Sequence, residues 1–175
     1  AALSFKWGVR AALTQAVACG PGFADKRALL ARTERFSAPA LTAYQHTQLA
    51  TVLNAARKDV PFYRGLLGAR LIAPQEAVDA LKTLPVLDKQ AVMARRDDFV
   101  STRPGLKLRG RSSGSTGFSF EGYRDLASIQ WERAFIDRYL RWAGWSPGAP
   151  RAWFRGDTVV DLNDMRGPYW VKDPW

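Results

Sequence analysis

The sequence predicts an α/β protein, with a mainly helical region over residues 1–100 followed over residues 101–175 by a strand-loop-strand-helix-strand unit. Three observations predict it. Up to about residue 98, apolar residues recur at helical intervals between Gly and Pro punctuation. Apolar and polar residues then alternate over Leu106 to Arg111 and again over Phe118 to Tyr123, the period of half-buried strands. Between those runs lies Ser112-Ser113-Gly114-Ser115-Thr116-Gly117. No internal repeat is visible. The 175 residues, 47% of them hydrophobic, suffice for one core and match one ordinary domain by length.

Each element has its own signal. Leu3, Trp7, Val9, Leu13 and Val17 suit a first amphipathic helix, ended by Cys19-Gly20-Pro21-Gly22. Lys6 and Arg10 ahead of Ala11 to Gly20 imitate a targeting signal, but Thr14 and Gln15 interrupt its apolar run. Ala24 to Phe36 predicts a second helix, and Ser37-Ala38-Pro39 opens a third that ends before Pro61. Phe62, Tyr63, Leu66 and Leu67 fit one or two further turns, Pro74 to Leu81 another helix. Asp88 is the expected N-cap of a helix running to about Asp97. Asp125 is the expected N-cap of a long helix from Leu126 to Ala143. Its polar stripe of Gln130, Arg133, Asp137 and Arg141 implies that the remaining, aromatic-rich surface is buried, so its tryptophans read as core. Gly144, Pro147, Gly148 and Pro150 end it, and Ala152-Trp153-Phe154 suggests a short strand before Arg155-Gly156-Asp157.

Charge is uneven along the chain. Lys and Arg number 26 against 16 Asp and Glu, a net +10. Residues 101–124 hold five basic groups and one acidic group, whereas residues 125–175 hold seven of each. Arg103, Lys107, Arg109, Arg111 and Arg124 therefore raise the potential around the Ser/Gly/Thr loop and favour a polyanion there. Arg109 and Arg111 share one side of a strand, and a solvated basic face is the plainer account of either alone. The single Cys19 excludes an internal disulfide framework, the single His46 leaves zinc almost without ligands, and a Ser-His-Asp site would need His46, which lies in an expected helix with no nucleophile signature near it. No catalytic side chain and no metal ligand is assigned. A reducing, cytoplasmic setting is expected, with peripheral contact at the inner face of a membrane as an alternative.

Glycines allow backbone N–H groups to turn inward around an anion, and Ser and Thr hydroxyls add donors. Ser112, Ser113, Gly114, Ser115, Thr116 and Gly117 are thus the candidate phosphate-binding residues, although the same composition also suits a flexible linker. Arg111, Arg124, Arg155 and Asp157 are candidate accessory residues. A P-loop is excluded, since no lysine occurs between Lys107 and Lys172, and a Rossmann fingerprint is absent.

Taken in order, Val60-Pro61-Phe62-Tyr63-Arg64, Leu84-Pro85-Val86-Leu87-Asp88-Lys89, Arg111 to Gly117, Tyr123-Arg124-Asp125, Arg155-Gly156-Asp157 and Pro168-Tyr169-Trp170 resemble the adenylate-forming enzymes. The resemblance is to the phenylacetate-CoA ligase group and its CapK-like branch, associated with capsular polysaccharide biosynthesis, and covers roughly residues 40–175. It implies that Ser112 to Gly117 close over the β- and γ-phosphates of ATP with Mg²⁺ while a carboxylate attacks the α-phosphate, often followed by transfer to coenzyme A. Ser119 stands where relatives usually carry proline, and Phe120 where many carry lysine. Complete members are more than twice as long, and their adenine-, ribose- and metal-binding motifs have no counterpart here. The resemblance therefore implies an N-terminal portion, a partial domain inactive alone. Expected partners are a nucleotide or other phosphate-bearing ligand, the remainder of such an enzyme, or a second copy. The alternative is a basic non-catalytic module binding nucleic acid or an anionic membrane surface, of which nucleic acid is disfavoured.

Overall fold

Side-chain caps and prolines set the helix starts in this chain. The computed structural model describes residues 12–112, 120–146, 148–150, 152, 154 and 170. Its helices are α1 (residues 12–18), α2 (Phe23–Thr33), α3 (Ala38–Asp59), α4 (Pro61–Leu66), α5 (Ala77–Lys82), α6 (Lys89–Ala94) and α7 (Leu126–Trp142). Tight 3-10 turns cover Pro74–Glu76 and Arg96–Phe99, and the strands are β1 (Leu108–Arg111) and β2 (Glu121–Arg124). The fold is mixed α/β and mostly helical, with one two-stranded antiparallel sheet among the described residues. It divides into two compact units, residues 32–125 and residues 1–31 with 126–175.

In the first unit, Ser37 caps α3 by accepting from Ala40 N at 3.4 Å, and Pro39 occupies the first turn, where a missing N–H costs nothing. Val60 closes α3 and opens α4, because Pro61 disfavours helical backbone in the residue before it. Asp88 caps α6 as expected, accepting from Ala91 N at 2.7 Å. That helix stops at Ala94 instead of running to Asp97. Arg95 leaves helical geometry at φ −127°, ψ 36° and binds Asp98 at 2.8 Å, so the chain restarts as the 3-10 turn. Similarly, α2 stops at Thr33 instead of Phe36, its end tightening into Arg35 N to Arg32 O and Phe36 N to Thr33 O bonds.

The core of this unit is narrow. Ala50 and Leu53 on one face of α3 meet Ala77 at the start of α5, with Leu49, Leu67, Ile72, Ala80 and Leu84 packed around them. Small residues let the helices approach closely, and polar side chains of α3 then bind the intervening segment. Asn54 donates to Ile72 O at 2.9 Å and accepts from Ile72 N at 3.0 Å, while Arg57 donates to Ala69 O at 2.7 Å. These bonds satisfy backbone groups that no regular element serves.

Two further contacts position the hairpin's approach. Phe62 of α4 stacks on Phe99 with ring centroids 4.3 Å apart, and Tyr63 meets Phe99 edge-on at 6.2 Å. Thr102 donates through both its N–H and its hydroxyl to Asp59 O, at 2.6 and 2.9 Å. The turn at Arg96–Phe99 and the lead into β1 are thereby fixed to the C-terminal end of α3 and to α4.

In the second unit, α7 departs in part from the burial its sequence pattern implies, with Ile129, Trp131, Ile136 and Leu140 half-buried. Gln130 and Ala134 are its buried residues, whereas Phe135, Tyr139 and Trp142 are exposed, Trp142 by 65%. Gln130 and Asp137 of the polar stripe face inward because they find specific partners. Lys26 of α2 donates to Gln130 Oε1 at 3.2 Å, and Asp137 binds Arg27 at 3.0 Å and Arg141 at 2.8 Å. Gly22 permits this approach. Its φ of 90° suits glycine, and a Cβ there would lie 3.2 Å from both Gln130 Oε1 and Lys26 Nζ. On the exposed side, the Arg138 guanidinium lies over Phe135 at 5.0 Å and over Trp142 at 4.8 Å. Trp142 therefore contributes to the surface and not to a core. Ala152 and Phe154 belong to no strand, and Trp153 lies outside the described residues.

Leu53→Ala should destabilise the chain by about 2–4 kcal/mol, read by urea unfolding, because it empties the centre of a small core. The orientation of α7 predicts a second, asymmetric result: Ala134→Leu overpacks the buried stripe and costs about 1–3 kcal/mol. Trp142→Ser on the opposite face should stay within about 0.5 kcal/mol of the parent in the same measurement.

Candidate functional site: an arginine-rich hairpin

The site begins with strand register. Leu108 pairs with Arg124, Arg109 with Tyr123, Gly110 with Gly122, and Arg111 with Glu121. Side chains alternate across a strand, so Arg109, Arg111, Glu121 and Tyr123 share one face, and Leu108, Gly110, Gly122 and Arg124 share the other. β1 starts at Leu108 instead of Leu106, and on the return Phe120 stands ahead of β2, whereas Phe118 lies outside the described residues.

Beyond the last ladder pair, Ser112 N donates to Phe120 O at 2.9 Å and Phe120 N donates to Ser112 Oγ at 2.8 Å. These two bonds close a neck at the base of the Ser/Gly/Thr loop. Ser112 stands at that neck, its hydroxyl oxygen engaged by the backbone. Phe120 explains the glycine two residues on, since a Cβ on Gly122 would meet the Phe120 ring at 3.1 Å. Ser113, Gly114, Ser115, Thr116 and Gly117 lie outside the described residues, as do Arg155 and Asp157.

Of the accessory arginines, the hairpin separates two. Arg111 projects on the Glu121 face and Arg124 on the opposite face, so strand geometry does not bring them together. Arg111 is joined instead by residues that motif reading did not select. Glu121 Oε1 accepts from Arg111 Nε at 3.0 Å, and Oε2 accepts from Arg96 Nη1 at 3.1 Å and from Arg109 Nη2. Three guanidinium groups thus converge on one carboxylate whose side chain is only 12% exposed. The signal available for Glu121 was that it is the only acidic residue between 101 and 124. For Arg96 there was none, because 25 residues separate it from Glu121.

Electrostatics follow from this geometry. The Arg109 hydrogen bond, partly opposed by desolvation and reinforced by the charges of Arg109, Arg111 and Arg96, holds the Glu121 carboxyl below the usual carboxylate range. Glu121 in turn raises Arg109 above the ordinary guanidinium value. Asp97, 3.8 Å from Arg96 and 96% exposed, adds a second, strongly solvated negative charge at the edge. Such a surface is chemically suited to anions.

Metal and membrane geometry are simpler. Among the described residues no group of three or more His, Cys, Asp or Glu is placed to hold a metal ion, and no helix is long and apolar enough to cross a membrane. The fold and site therefore define a mostly helical α/β protein with a basic β-hairpin. No family model, curated protein or solved structure matches the chain.

Glu121 also sets an acid dependence. Its folded-state pKa is depressed, so the stability it contributes is full above the unfolded carboxylate value of about 4.3 and is lost as pH falls through the lower folded value. Thermal unfolding scanned from about pH 6 to pH 2 should show a steeper acid loss in the parent than in Glu121→Gln. Parallel curves would contradict the three-arginine arrangement.

Proposed function

We propose that the chain is the N-terminal portion of an ATP-dependent, AMP-forming carboxylate ligase-like protein of the phenylacetate-CoA ligase and CapK-like group. In this reading, Ser112 to Gly117 are its phosphate loop. The observation that supports it is the closed neck at Ser112 and Phe120, which hangs the Ser/Gly/Thr segment between two strands with guanidinium groups at its base. An anchored loop loses less entropy on closing around a ligand than a free linker does. Its N–H and hydroxyl donors would meet the β- and γ-phosphates, and the adjoining arginines would offset charge on the leaving pyrophosphate.

When bound with ATP, Mg²⁺ supplies further neutralisation of phosphate charge. No residue of this chain is assigned to the metal, to adenine or to a coenzyme A acceptor. Adenylation needs groups for adenine and ribose that the resembled family draws from motifs without a counterpart here. The chain alone thus holds the phosphate chain of a nucleotide without turning it over.

Two measurements test this reading. ATP binding by the purified chain should weaken at least about tenfold in a Gly114→Ala, Thr116→Ala double variant, equivalent to roughly 1.4 kcal/mol. Exchange of labelled pyrophosphate into ATP should not exceed the level of that variant. Exchange above it would overturn the claim that the chain is inactive alone, and unchanged ATP binding would overturn the loop assignment.

A further inference from the structure

The hairpin face outside the loop carries more positive charge than its own carboxylates neutralise. Arg96, Arg109 and Arg111 bring three charges to Glu121, which returns one. Asp97 reaches only Arg96, at 3.8 Å and in full contact with water. Arg109 and Arg111 are 63% and 67% exposed, and each makes a single ion pair, to Glu121, among the described residues. A guanidinium has five N–H donors, so most of the donor capacity of this pair is directed elsewhere. We propose that Arg96, Arg109 and Arg111 form an anion-binding face that takes a free phosphoanhydride chain, inorganic pyrophosphate being its simplest member.

The arrangement is built by the fold and not by chance proximity of long side chains. Strand register places Arg109 and Arg111 on one face, and the Phe62–Phe99 stack fixes the turn that carries Arg96. Gathering three like charges is unfavourable, and one carboxylate relieves it only in part. A multivalent anion on the solvent side completes the neutralisation. Arg109 and Arg111 are two positions apart on a strand, about 7 Å between Cα atoms, a spacing that suits adjoining phosphoryl groups better than one monoanion. Guanidinium forks also match phosphate oxygens bidentately. The proposal rests on the phosphate-loop reading in one respect: the face adjoins the loop through Arg111 and Ser112, and both are taken to serve one phosphate chain.

The test is calorimetric titration of the full chain with inorganic pyrophosphate, in the parent, in Arg96→Gln with Arg109→Gln, in Glu121→Gln, and in Gly114→Ala with Thr116→Ala. Circular dichroism checks the fold of each. The arginine double variant should bind at least about tenfold more weakly. Glu121→Gln breaks the same ion pairs while keeping all three positive charges, so it should bind at least as tightly as the parent. If Glu121→Gln weakens binding as much as the arginine variant does, the cluster is only structural and the proposal is overturned. Loss in the loop variant with no loss in the arginine variant also overturns it and leaves the loop reading standing. The reverse pattern supports the arginine face and removes the loop, and loss in both supports both. A parent chain that binds no pyrophosphate overturns the arginine face and leaves the loop reading to the ATP measurement. Sedimentation with phosphatidic acid vesicles that excess pyrophosphate fails to displace would identify a lipid surface as the occupant, and would likewise overturn the proposal.

Discussion

Three guanidinium groups meet at one carboxylate, Glu121, and this junction joins the hairpin to the turn that the Phe62–Phe99 stack and the Thr102 bonds already hold. A two-stranded hairpin is marginal alone in water. Here it makes four ladder pairs and is secured through side chains. Glu121 links β2 to β1 through Arg109 and Arg111, and links both strands to the 3-10 turn through Arg96. Exposed ion pairs are individually weak, but these share a mostly buried acceptor with both oxygens in use, a geometry in which losing the acceptor leaves several charges opposed.

The turn that supplies Arg96 is itself held by apolar and backbone contacts. Phe62 and Tyr63 enclose Phe99, and Thr102 binds the last carbonyl of α3. Behind them, Ala50, Leu53 and Ala77 allow α3 and α5 to meet, and Asn54 fastens the segment between α4 and the Pro74–Glu76 turn. Order therefore passes from a small core to an aromatic clamp and from there to a charged surface. Each step constrains the next because a packed neighbour removes rotamers from it.

The second unit illustrates a different constraint. Periodicity divides α7 into a polar stripe and an apolar remainder, but periodicity alone does not say which of them faces protein. Lys26 and Arg27 of α2 draw Gln130 and Asp137 of the polar stripe inward, with Ala134 giving the close approach. Phe135, Tyr139 and Trp142 then remain outside, where Phe135 and Trp142 enclose the Arg138 guanidinium. Hydrophobic burial is a one-way tendency, and satisfied buried polar groups can outweigh it locally.

The sequence by itself determined what local chemistry controls. Ser37 and Asp88 mark their caps, Pro61 breaks α3 from α4, and alternation brackets the hairpin, because these signals act within a few residues of backbone. It also concentrated positive charge around residues 101–124. Only the tertiary structure decided which charges meet. Strand parity placed Arg111 and Arg124 on opposite faces, the clamp on Phe99 delivered Arg96 to Glu121 from 25 residues away, and α2 drew Gln130 and Asp137 of α7 inward. Those outcomes depend on contacts between elements distant in the chain, and no short-range pattern encodes them.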